Sequence, residues 1–269
     1  MNNVFTIKRF GALLLKECRE FPANFGLTVL SMNGIYVVFL LASLLSSSSP
    51  GVFSRLTFIV FMTVMALVFS PSKLYGTVNH KKKGLHYAQL PASVLEKTLS
   101  MFVVSFVCVA LSMLVSLFVV DTLFYLLFPS YTSGFLFANS WEGVFSGKVF
   151  FDMFLIQSLF VLGNMVFKRQ KVAKTFAVLM GFALLLSIVA GLVIKSIGIE
   201  AVERFVEILL DNFPQELENS DWRGMGSLSS LLSQNSFVRA LVIGKYSIGG
   251  LVTASCWFGT YRLIKTTKY

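Results

Sequence analysis

Six stretches of the chain, 25–46, 53–70, 99–118, 149–167, 172–194 and 242–261, are apolar almost throughout. Each is close to the roughly 20 residues that an α-helix needs to cross a hydrocarbon layer of about 30 Å. The apolar character of the third continues to Phe128. Ahead of the first stretch, Ile7, Phe10, Leu14 and Phe21 share one helical face, while Lys8, Arg9, Lys16 and Arg19 fall elsewhere. That spacing predicts an amphipathic helix over 5–21 lying in the membrane interface. The pattern as a whole predicts an all-α membrane protein with an N-terminal amphipathic cytoplasmic segment, 1–24, and a six-span transmembrane domain, 25–269.

Composition strengthens this reading. The 269 residues are 55% hydrophobic and only 13% charged, with a mean hydropathy of +0.75. A soluble core of this size could not hide that much apolar surface, so the surplus faces lipid. A net charge of +10 would suit a nucleic-acid binder, but the basic residues sit in short clusters between apolar runs. Membrane topology explains such clusters better, because basic flanks are retained in the cytoplasm. Sixteen of the 23 Lys and Arg residues lie in 1–24, 70–98, 168–174 and the tail after 261, and seven lie elsewhere. Both termini are therefore expected in the cytoplasm, with the chain in an inner membrane. No small-residue cleavage site follows the first apolar run, so a removable signal peptide is not expected.

Two connections between spans carry information. The basic cytoplasmic loop, 70–98, contains Pro91-Ala92-Ser93-Val94-Leu95-Glu96, which reads as a helix start with Ser93 as cap and Glu96 three residues on. The external segment, 196–240, holds seven of the thirteen acidic residues. Within it Ile199, Val202, Phe205 or Val206, and Leu209 recur at helical spacing, which predicts a short amphipathic helix.

Equipment for bond-breaking chemistry is not evident. No G-x-x-x-x-G-K-[ST] phosphate loop occurs, so energy from ATP would have to come through another chain. His80 and His86 flank Lys81, Lys82 and Lys83, whose charge disfavours a metal ion. Cys18, Cys108 and Cys256 are far apart in sequence and read as packing residues. Polar groups inside spans are costly and are functional candidates by default. They are Asn33, Asp152, Gln157, Asn164 and Lys245, with interhelical hydrogen bonding or interfacial anchoring as the plainer role. None is a clearly mid-membrane carboxylate of the kind an ion-coupled carrier needs.

The segment Tyr87-Ala88-Gln89-Leu90-Pro91-Ala92-Ser93-Val94-Leu95-Glu96-Lys97 resembles the "LPAS, two residues, EK" signature of permease subunits of type-2 ATP-binding-cassette (ABC) transporters, particularly those of Bacteroidetes. The layout of six spans, an amphipathic N-terminal helix and an insert between spans five and six is similar to theirs. The resemblance implies a coupling helix in the 70–98 loop that docks on a separate ATPase subunit. Lys81, Lys82, Lys83, Leu90, Pro91, Ser93, Glu96 and Lys97 are the contact residues it implies. It further implies export of a substrate, a second permease subunit as homo- or heterodimer partner, the lipid bilayer as surroundings and no nucleic-acid partner. This chain would hold no cofactor, since ATP and Mg would be bound by the ATPase. Two other classes stay open: a secondary carrier driven by an ion gradient, and a non-transporting membrane anchor or assembly factor.

Overall fold

A computed structural model describes residues 5–46, 49–80, 84–132, 134–136, 147–197 and 236–266. No strand occurs among them. The elements are α1 (Ile7–Leu45), α2 (Val52–Leu74), α3 (Leu85–Gln89), α4 (Val94–Val103), a π-helical turn (Val104–Cys108), α5 (Val109–Leu127), a 3-10 turn (Pro129–Tyr131), α6 (Gly147–Val166), α7 (Lys171–Ile197) and α8 (Ser236–Thr266). Five helical runs are long and apolar enough to cross a membrane: α1, α2, α4 through α5, α6, and α7 over Lys171–Leu192. The chain is a multi-pass membrane protein. The sixth expected span is helical within Ser236–Thr266 but is not among those five. Arg239, Lys245, Arg262 and Lys265 punctuate it. The external helix expected from Ile199 to Leu209 lies outside the described residues.

The amphipathic segment and the first span, separate elements in the sequence reading, form a single helix of 39 residues, about 58 Å long at 1.5 Å per residue. Pro22 sits inside it. Proline removes one backbone donor, which leaves the Cys18 carbonyl without its helical partner. Burial of Leu13 and Glu17 before Pro22 and of Phe25 after it carries the helix across. The third span likewise starts earlier than its apolar run, at Val94, because Ser93 caps it there.

The frame of the bundle is a parallel pairing of α1 with α4 and α5. Thr6 and Arg9 meet Glu96, Glu17 meets Ser100, Cys18 meets Cys108, Asn33 meets Ser116, and Tyr36 meets Asp121. Partners are separated by 83 to 90 residues in every case. That near-constant offset means two helices running side by side in the same direction over almost their whole lengths. α2 packs in the same core, where Phe25, Tyr36, Leu40, Ile59, Leu67, Met113 and Leu117 are buried together. A second cluster joins Tyr75, Phe102, Val161, Met165 and Ile264, with Trp257 stacked on Phe102.

α5 is apolar on both faces. Met113, Leu117 and Phe124 point inward, while Leu111, Val115, Val119 and Leu123 are exposed. A helix apolar all round suits lipid, not water. α6 lies close enough to the start of α7 that a methyl on Gly163 would collide with the Thr175 side chain. Residues 176–251 form a compact unit of their own. There Phe176, Val178, Phe182, Leu184, Leu185 and Ile188 on α7 are exposed, again the surface of a lipid-facing helix.

Arg55 and Asp121 form a buried ion pair inside this apolar bundle. Arg55 Nη1 donates to Asp121 Oδ1 and Oδ2 at 3.0 and 2.9 Å, and Nη2 donates to the Gly134 carbonyl at 2.6 Å. The Tyr36 hydroxyl donates to Asp121 Oδ1 at 2.7 Å. Arg55 is 0% and Asp121 1% exposed, so removing one partner strands the other charge in a medium of low dielectric. Arg55→Ala is expected to lower stability by about 3–5 kcal/mol. The double variant Arg55→Leu with Asp121→Leu should recover much of that loss in detergent unfolding, and equal losses in both would argue against the pair.

Candidate functional site

The 70–98 loop folds as two small elements against the foot of α1. α3, only five residues long, ends at Gln89. Leu90 then turns extended, Pro91 is exposed, Ala92 and Ser93 are buried, and α4 begins at Val94. The capping box expected from the spacing is present in both directions. Ser93 Oγ accepts from the Glu96 N–H at 3.2 Å, and Glu96 Oε2 accepts from the Ser93 N–H at 2.7 Å.

Glu96 does more than close its own helix. Its other oxygen, Oε1, accepts from the Thr6 N–H at 2.7 Å and from Arg9 Nη2 at 3.2 Å. Thr6 is the N-cap of α1, and its side chain makes no capping bond to its own helix. One carboxylate thus serves the starts of two parallel helices, where backbone donors lack partners and the dipoles favour negative charge. Arg9 completes the cluster through Nε to Thr6 Oγ1 at 2.6 Å.

Lys97 is also turned inward. Its ammonium donates to the Ala88 carbonyl at 2.9 Å and stands 5.8 Å from the Tyr87 ring centroid. The Tyr87 hydroxyl returns to the Lys97 carbonyl at 3.0 Å. These bonds lash α3 to α4, so 85–97 is one bonded piece. The eight residues named for partner contact therefore divide. Ser93, Glu96 and Lys97 are buried and spend their polar atoms on the chain itself, Leu90 is half-buried and Pro91 exposed, and Lys81, Lys82 and Lys83 lie outside the described residues. Leu95, within the same motif, is 49% exposed.

Two clefts border the loop. One of about 190 Å³ is lined by Arg9, Ala12, Lys16, Leu90, Pro91 and Ala92, among others. A second of about 270 Å³ has Lys16, Glu20, Lys73, Tyr75, Tyr87 and Leu90 on its walls. Behind it Glu17 Oε2 accepts from the Tyr75 hydroxyl at 2.5 Å and from Ser100 Oγ at 2.6 Å. Burial, with the Glu17 carboxylate beside it, pushes the Tyr75 phenol well above its ordinary range, so it stays a donor.

Comparison with known proteins identifies no relative. No family model matches the chain, and neither a curated protein nor a solved structure does.

The amide candidates behave as interhelical ties. Asn33 Nδ2 donates to Ser116 Oγ at 2.9 Å, Gln157 Nε2 to Ser70 Oγ at 3.2 Å, and Asn164 Nδ2 to the Tyr75 carbonyl at 3.2 Å. Asp152 is half-buried, and Lys245 is exposed near the Tyr246 ring. Among the described residues, Arg55, Asp121, Glu17 and Lys171 are buried charges that sequence reasoning did not single out. Asp121 stands just past the third predicted span and Arg55 at the head of the second, where each looks like an end-of-helix residue. For Arg55 and Asp121 the signal was a lone charge in an otherwise apolar run, whereas Glu17 sits among Lys16, Arg19 and Glu20.

The double capping role has a distinct signature. Glu96→Ala removes the acceptor from both helix starts, each worth about 1 kcal/mol. Amide hydrogen exchange should accelerate together at 6–10 and at 93–97. Ser93→Ala should accelerate exchange only at 93–97. If Glu96→Ala leaves 6–10 unchanged, the tie between α1 and α4 is not stabilising.

Proposed function

We propose that this chain is the membrane-spanning permease subunit of a type-2 ABC transporter, exporting its substrate with energy from ATP hydrolysed by a separate ATPase subunit. In this reading the chain has six transmembrane helices, with both termini in the cytoplasm of a bacterial cell and the bundle in its inner membrane. It pairs with a second permease, and ATP and Mg are held by the ATPase. The observation that carries the proposal is the folded form of the Leu90–Lys97 motif. α3, the Pro91 turn and the head of α4 are bonded into one stiff piece that leads directly into a long apolar helix.

A push on that piece cannot be absorbed locally. Glu96 ties it to α1, and α1 and α5 run parallel through the bundle, so a displacement at the loop moves two helices together. Pro91 and Leu95 present the apolar contact, and Ser93, Glu96 and Lys97 act as positioning residues that keep the piece rigid.

The test begins with gentle purification of the chain from its native membrane. An ATPase carrying a Walker phosphate loop is expected to come with it. Leu95→Asp, exposed and outside the bonded network, is expected to reduce that association at least tenfold while leaving membrane insertion and thermal unfolding unchanged. Isolation of the chain without any nucleotide-binding partner would overturn the proposal.

A second reading, an ion-gradient-driven carrier, draws support from Asp121, a buried carboxylate within the bundle. Its oxygens are already held by Arg55 and Tyr36, which suits a structural tie better than a released ion. Vesicle transport that persists without ATP and collapses with an ionophore would favour the carrier.

A further inference from the structure

The cysteines, expected as isolated packing residues, are not all isolated. Cys18 Sγ and Cys108 Sγ approach to 3.7 Å across the α1 to α5 pairing, although 90 residues separate them. Both thiols are free and both residues half-buried, whereas Cys256 is buried apart from them.

Each partner sits at an irregular place in its helix. Pro22 leaves the Cys18 carbonyl without its i+4 donor. Cys108 closes the π turn, Val104–Cys108, where the backbone carries one residue too many for an α-turn. The Ser105 carbonyl within that turn is held by Ser70 Oγ at 3.0 Å from α2. Two irregular turns thus face each other across the 3.7 Å between the sulfurs. On the wall of the 270 Å³ cleft, Glu17 is the chain neighbour of Cys18, and Val104 is the first residue of the π turn.

We propose that Cys18 and Cys108 form a reversible disulfide under a two-electron oxidant of the peroxide class, clamping α1 to the π turn. The chemistry balances with peroxide alone. One thiol, as thiolate, attacks a peroxide oxygen, the O–O bond breaks, and a sulfenic acid and one water result. The second sulfur attacks that sulfenic sulfur, the S–O bond breaks, and hydroxide leaves with the thiol proton as the second water. Both cysteines are oxidised and peroxide is reduced. A dithiol reductant reverses the bond by exchange.

The clamp joins α1 near Pro22 to the π turn that leads into α5. Oxidation is therefore expected to stiffen both at once. This inference is independent of the transporter proposal and holds for any function that needs these helices to move.

The full chain in native membranes is treated with hydrogen peroxide, then denatured and labelled with a polyethylene-glycol maleimide. The wild type is expected to fall from three labelled cysteines to one, Cys256, and to return to three after dithiothreitol. Peptide mapping should recover Cys18 and Cys108 in one linked pair. Cys18→Ser and Cys108→Ser should each keep two labelled cysteines after the same treatment. Hydrogen exchange in 15–22 and 104–110 should slow on oxidation of the wild type and not of Cys18→Ser. Three labelled cysteines after peroxide, separate sulfinic acids at the two positions, or a link between two chains would each overturn the proposal. Should the serine variants fail to fold, the linked peptide from the wild type still decides it.

Discussion

A single carboxylate at the start of two parallel helices is the constraint from which the frame of this bundle follows. Helix starts present backbone donors with no internal partner, and near an apolar layer these cannot be left bare. Glu96 satisfies one donor at the head of α4 and another at the head of α1, with Arg9 balancing its charge. Once the two starts are level, the remaining contacts fall into place at nearly the same offset, through Ser100, Cys108, Ser116 and Asp121 on one side. Moving either helix by one turn would break the whole ladder.

The polar interior obeys the same rule along its length. Two ion pairs carry charge into the bundle, Arg9 with Glu96 near one end and Arg55 with Asp121 toward the other, while Glu17 is held by the Tyr75 and Ser100 hydroxyls and Lys97 by a backbone carbonyl. Between them the ties are amides and hydroxyls, which cost less to bury than an ion. The outer surfaces carry exposed Leu, Val and Phe, which only lipid or another apolar chain can cover.

This arrangement also explains how a loop motif can matter without offering its charges to a partner. In the Leu90–Lys97 motif, the conspicuous residues are the ones that fold back: Glu96 onto two helix starts, Lys97 onto α3. What they leave outside is apolar and plain, Pro91 and Leu95. A stiff piece with an apolar outer edge is suited to receiving a mechanical displacement, because deformation would first have to break buried, charge-assisted bonds.

The membrane class was legible in the chain because apolar runs of spanning length are a local property, readable residue by residue. So was the capping box, since Ser93 and Glu96 are three residues apart and their bonds close within one turn. Pairings between distant residues were not legible. Arg55 with Asp121, Glu96 with Thr6, and Cys18 with Cys108 join residues 66, 90 and 90 apart. Their meeting depends on which helices lie side by side and at what height. A lone charge near a helix end reads as an interfacial anchor until a partner is placed against it. The continuity of α1 was hidden for a related reason, since the basic residues before Pro22 mark a boundary in sequence while burial of Leu13, Glu17 and Phe25 on either side of it holds one helix together. Local pattern decided what each segment is, and tertiary packing decided which segments touch, because the free energy of a buried polar pair exists only when both halves leave water together.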